Sequence, residues 1–121
     1  MDAAHHEEHP AYPALAALLG NDACRVSVVL CVFHHTVGGD LRRMEHAAVA
    51  GEWMRVRELA HRTAWGCRFI GEDRAADALE AVGHSVPDAF VKTFWGAHGA
   101  LVDVLDRAAA FTDIRDRRHL D

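Results

Sequence analysis

Apolar residues recur at Val26, Val29 or Leu30, Phe33, Val37, Leu41, Met44 and Ala48, in unbroken steps of three and four. A helix advances about 100° per residue, so these side chains fall on one stripe; a strand would scatter them over both faces. The phase runs straight through Gly38-Gly39. Two glycines cost roughly 2 kcal/mol relative to alanine inside a helix, and a helix break there would reset the phase. The spacing therefore predicts one long helix over about 22–50, weakened or bent at the glycines. Asn21 or Asp22 supplies the N-cap and Gly51 the stop.

The remaining segments fit around that helix. Met1 to His9 has no apolar period, and its HHEEH run reads as a frayed tail rather than a metal site. Pro10 to Pro13 is an extended lead-in, so residues 1–13 stand apart from a domain over 14–113. A short helix spans Ala14 to Leu19, closed by Gly20. A second long helix runs from about Trp53 to Ile70, ended by Gly71. A shorter one turns Ala75, Ala78, Leu79 and Val82 inward before Gly83. Ser85-Val86-Pro87-Asp88 starts the last helix, with Val91, Phe94, His98, Leu101, Leu105, Ala108 and Thr112 inward. Residues 114–121 form a charged tail expected to fray. The fold class expected is all-α, an antiparallel four-helix bundle with a short extra N-terminal helix.

At 121 residues, half of them apolar, the chain supports one domain with a real core. It has no run of apolar residues long enough to span a bilayer and no signal-peptide pattern, which gives a cytoplasmic expectation with no direct membrane contact. Three cysteines, at 24, 31 and 67, form no CxxC pair; Cys31 and Cys67 are expected to pack as reduced thiols. A net charge of −5 argues against nucleic acid as a partner. Charge is uneven, though: Leu41 to Gly71 holds six arginines (42, 43, 55, 57, 62, 68) against three glutamates (45, 52, 58). A basic face on an acidic body favours an acidic protein partner.

His61 is the residue that spacing alone singles out for chemistry. On the helix over 53–70, Val56, Ala60, Thr63, Cys67 and Ile70 share one stripe, and His61 lies about 140° from its middle. Arg57, Ala64, Trp65 and Arg68 are expected beside it on the exposed face. Most surface histidines do nothing, and His34, His35 and His46 read that way. An imidazole on a rigid helix among arginines is nonetheless suited to an anionic visitor.

The flanking pattern gives that visitor a name. Leu59-Ala60-His61, Ile70-Gly71 nine and ten residues after the histidine, and Leu79-Glu80 beyond them resemble the histidine-containing phosphotransfer (HPt) domain family. So do the upstream LLGND opening, the Phe late in a long helix, and Gly51-Glu52-Trp53, over about Ala14 to Val82 in all. The resemblance implies a phosphorelay carrier in two-component signalling. His61 would accept a phosphoryl group from a receiver-domain phospho-aspartate and pass it to another receiver. Partners would be response-regulator receiver domains, free-standing or within a hybrid sensor kinase. Mg²⁺ would come from the receiver, with no cofactor of the chain's own. Arg57, Glu58, Ala64, Trp65, Arg68 and Phe69 would meet the partner or the phosphoryl oxygens. Where the family has Lys-Gly three and four residues after the histidine, this chain has Ala64-Trp65. That departure keeps open a docking module that binds a receiver without being phosphorylated.

Other chemistries lack parts. Serines occur only at 27 and 85, and no Ser or Cys is expected beside His61, so a hydrolase is not indicated. A di-iron bundle needs two Glu-x-x-His motifs, and Glu58-x-x-His61 is single. No phosphate-cradling glycine loop suggests an ATP site. Phosphotransfer asks less, because an imidazole is substantially unprotonated at neutral pH and needs only access and nearby positive charge.

Overall fold

The computed structural model describes residues 12–120, and the side chains among them other than those of 87 and 113–120. The expectations for the HHEEH run and for the lead-in as far as residue 11 lie outside the described residues; at its end the lead-in expected over 10–13 is corrected, because Tyr12 is buried in the core and Pro13 opens the first helix. Five helices follow in order: α1 (Pro13–Leu18), α2 (Ala23–Val49), α3 (Trp53–Ile70), α4 (Asp73–His84) and α5 (Pro87–Leu120). No strand occurs among the described residues, and the all-α expectation holds. Neighbours in sequence are neighbours in space: α2 packs on α3, α3 on α4, α4 on α5, and α5 closes back on α2. α1 lies against α2 and α3.

Local chemistry sets the boundaries. The Asp22 carboxylate accepts from the backbone N–H groups of Cys24 (3.0 Å) and Arg25 (3.2 Å), capping α2. At the other end of α3, Gly71 has φ +91°, and the N–H of Glu72 reaches back to the Cys67 carbonyl at 2.8 Å. A side chain in that left-handed conformation would be strained, so glycine closes the helix. α2 runs unbroken through Gly38-Gly39, as the apolar phase requires.

The core is one cluster drawn from every helix. Leu15, Leu30, Met44, Leu59, Ile70, Leu79, Phe94 and Leu101 are among its fully buried members. Each contributes about 1.5–3 kcal/mol by leaving water. Beside it, Tyr12 donates its hydroxyl to Glu72 (3.3 Å), and Arg107 grips the same carboxylate at 2.9 and 3.1 Å. Burial, then the Glu72 charge, pushes the Tyr12 hydroxyl up to about 12. Burial does the same to the Cys67 thiol. Both groups thus stabilise the fold in their neutral forms, fully below their ordinary values and less as pH rises toward 12.

Several expectations need correction. Cys31 is exposed, not packed: it follows Leu30 on α2, and one step of 100° carries it off the stripe. Val91 is exposed and Phe90 is buried in its place. The inward stripe of α5 is turned toward Ala97 and Val104, because α5 packs against both α2 and α4. α4 runs one residue past Gly83, to His84, before Ser85 turns extended, and α5 continues to Leu120, through the charged segment expected to fray.

Candidate functional site along the α3/α4 seam

α3 must bury one side against two neighbours, α2 and α4, so its buried arc is wider than a single stripe. It takes in Val56, Leu59, Ala60, Thr63, Ala64, Cys67 and Ile70. Ala64, expected on the exposed face, is fully buried. It sits only about 80° from the middle of the stripe, and α4 covers that flank. His61 lies farther round and stays in water, with its side chain 65% exposed. Trp65, Phe69 and Glu58 are exposed as expected.

Three links tie the exposed face of α3 to α4 and its C-terminal turn. Arg57 donates to the backbone carbonyls of Gly83 (3.0 Å) and Ser85 (3.3 Å), with its guanidinium 4.7 Å from the Phe90 ring centre. His61 Nδ1 lies 3.1 Å from Glu80 Oε1. Arg68 donates to Asp77 at 2.9 Å. Rising numbers on α3 meet falling numbers on α4, so the two helices run in opposite directions. The arginines expected beside His61 are therefore on its face, yet both point at α4 instead.

The Glu80 contact favours one form of the ring. In a neutral imidazole facing an ionised carboxylate, Nδ1 is the donor and the lone pair falls on Nε2. Nε2 has no protein partner among the described residues. Glu80 was legible only as part of a Leu-Glu pattern; its role needs the α3/α4 packing to be seen. Removing Glu80 would free the tautomer and the ring's orientation.

Two further polar links lie away from His61. Asp40, on the inner side of α2, has a side chain only 5% exposed and accepts from Arg43 (2.9 Å) and Arg62 (2.7 Å), bridging α2 and α3. The i,i+3 spacing to Arg43 was a usable signal; the link to Arg62 was not. His98, expected to be a hydrogen-bonded inward histidine, is half-buried and meets Glu45 at 2.7 Å through Nε2. No three His, Cys, Asp or Glu side chains come together as metal ligands among the described residues. No helix among them is long and apolar enough to cross a membrane.

Comparisons with models of known protein families, with curated protein sequences and with solved structures find no match.

Proposed function

We propose that this chain is an HPt-like phosphorelay intermediate with His61 as its phosphoryl acceptor. One observation carries the reading: a largely exposed imidazole on a packed helix, with Nδ1 at Glu80 and no protein partner at Nε2 among the described residues. In the step proposed, the Nε2 lone pair attacks the phosphorus of a partner's aspartyl phosphate. The N–P bond forms as the P–O bond breaks, and the aspartate leaves as a carboxylate with the bonding electrons. The ring, still protonated at Nδ1, becomes cationic, and Glu80 offsets that charge across 3.1 Å. Attack by a second receiver's aspartate reverses the sequence. Trp65 and Phe69, 68% and 55% exposed, give the receiver an apolar footing beside the acceptor.

A second reading has its own observation. Neither Arg57 nor Arg68 is free to meet a phosphoryl group as found, and Ala64 cannot substitute for them. That favours a module that docks a receiver or another regulator without being phosphorylated. The weight still falls on the relay, because the Arg68–Asp77 pair is exposed on both sides and such pairs are worth about 0–1 kcal/mol. An incoming dianion would outbid Asp77 for Arg68. Trp65 forms no ring contact with His61, so the acceptor is not capped.

The test is incubation with a phosphorylated receiver domain, followed by assay for acid-labile phosphate on this chain. Acid-labile label that is absent from His61→Gln supports the relay. Binding of the receiver with no label on the parent chain supports the docking module.

A further inference from the structure

We infer that the groove between the C-terminal half of α2 and the first turn of α3 docks an acidic segment of a partner protein, independently of His61. Its walls carry Arg42, Arg43 and His46 from α2 and Arg55 from α3, with Glu52 as the one acid. All four basic side chains are exposed. Arg42 and Arg55 make no ion pair among the described residues. Two nearby acids are engaged elsewhere, which leaves Glu52 as the carboxylate in the groove. Glu45, three residues after Arg42, is bound to His98 on the α5 side. Asp40, which holds Arg43, is buried and shared with Arg62. Unspent positive charge is thus gathered in one groove of a chain whose net charge is −5.

The glycines of α2 point to the same place. A Cβ at Gly39 would lie 3.2 Å from Arg43 Nη1, and one at Gly38 would lie 3.8 Å from Arg42 Nη1. The two guanidinium groups therefore lie back along the helix over Gly38 and Gly39. A long helix that tolerates two interior glycines gives up helix propensity; at Gly39 it gains room for the Arg43 guanidinium, whereas the distance at Gly38 is ordinary contact.

The layout selects the occupant. The cations are strung along a turn of one helix and the start of the next, and the amides beneath them on α2 are used up in the helix. The first N–H groups of α3, at one end of the groove, carry no side-chain cap, so a single compact phosphate is the competing occupant that the test separates. Successive carboxylates on a peptide suit such spacing, and guanidinium groups bind each of them in a forked pair. A nucleic acid would be repelled by the acidic remainder of the chain. Arg55 projects about 120° round α3 from His61, so the groove and the acceptor face can be occupied together.

The probe is a fluorescein-labelled oligoglutamate peptide, titrated onto the full chain at low and at physiological salt. We expect saturable, salt-sensitive binding that weakens at least about tenfold in Arg42→Glu/Arg55→Glu and is unchanged in His61→Gln. Arg74→Glu, an exposed arginine on α4, should leave it unchanged. Circular dichroism confirms that each variant is folded. No binding at low salt would overturn the proposal. Equal weakening by Arg74→Glu, or tighter binding of a single-stranded oligonucleotide or inorganic phosphate than of the peptide, would overturn it as well.

Discussion

Among the described residues, two histidine–glutamate pairs join neighbouring helices, and they differ in access and in which ring nitrogen they use. His61 and Glu80 bridge α3 and α4; His98 and Glu45 bridge α5 and α2. The second contact is the shorter, 2.7 Å against 3.1 Å. Yet His98 is only 19% exposed and lies against Trp95 and Phe94, with ring centres 4.9 and 6.1 Å away. It also spends Nε2, the nitrogen at the tip of the ring, on its carboxylate. His61 spends Nδ1, the nitrogen nearer the backbone, and keeps the tip for a visitor. The same two residue types therefore make a strut in one seam and, in the proposed relay, a nucleophile in the other. Access and the choice of nitrogen separate them, not the strength of the contact.

That contrast can be broken by substitution, and the effects should fall in a definite order. His61→Gln should remove phosphoryl acceptance entirely while leaving thermal unfolding within a few degrees of the parent. Label retained in that variant would move the acceptor elsewhere, with His46 the next candidate. Glu80→Ala should slow transfer by about tenfold and Glu80→Gln by less, since a charge-assisted contact this exposed is worth about 1–1.5 kcal/mol. Single-turnover rates with one phosphorylated receiver would show this; parent-like rates in both would strip Glu80 of its positioning role. Arg68→Ala should slow transfer by up to about tenfold, and Asp77→Asn, which frees Arg68, should not slow it. At the strut, His98→Ala should leave transfer unchanged and lower stability by about 1 kcal/mol, read as a small fall in denaturation midpoint. A transfer defect there at parent-like stability would erase the distinction between the two pairs.

Much of the architecture could be read from spacing. The phase through Gly38-Gly39 specified α2 because twenty-odd residues of consistent register outweigh two poor helix formers. The exposure of His61 followed because it stands far from the buried stripe of α3. What failed lay near stripe edges, where a neighbour's position decides. Ala64, Cys31 and Val91 each sit about 80–120° from a stripe centre, and whether such a residue is covered depends on which helices flank it. The contacts of Glu80, Asp40 and Arg62 were hidden for a related reason: each joins two helices, and sequence order does not give their mutual rotation. The substitution that the family pattern suggests, a lysine three residues after the histidine, is likewise ruled out by packing. Ala64→Lys would force an ammonium group into a fully buried site.

The most direct measurement is the position of the phosphoryl group itself. The chain, labelled with ¹⁵N in its histidine rings, is phosphorylated by a receiver and examined by NMR for phosphorus–nitrogen coupling. The account predicts a single phosphohistidine, at Nε2 of His61, with Nδ1 still protonated toward Glu80. Coupling at Nδ1 of His61, at any other histidine, or at none while the receiver remains bound would contradict it.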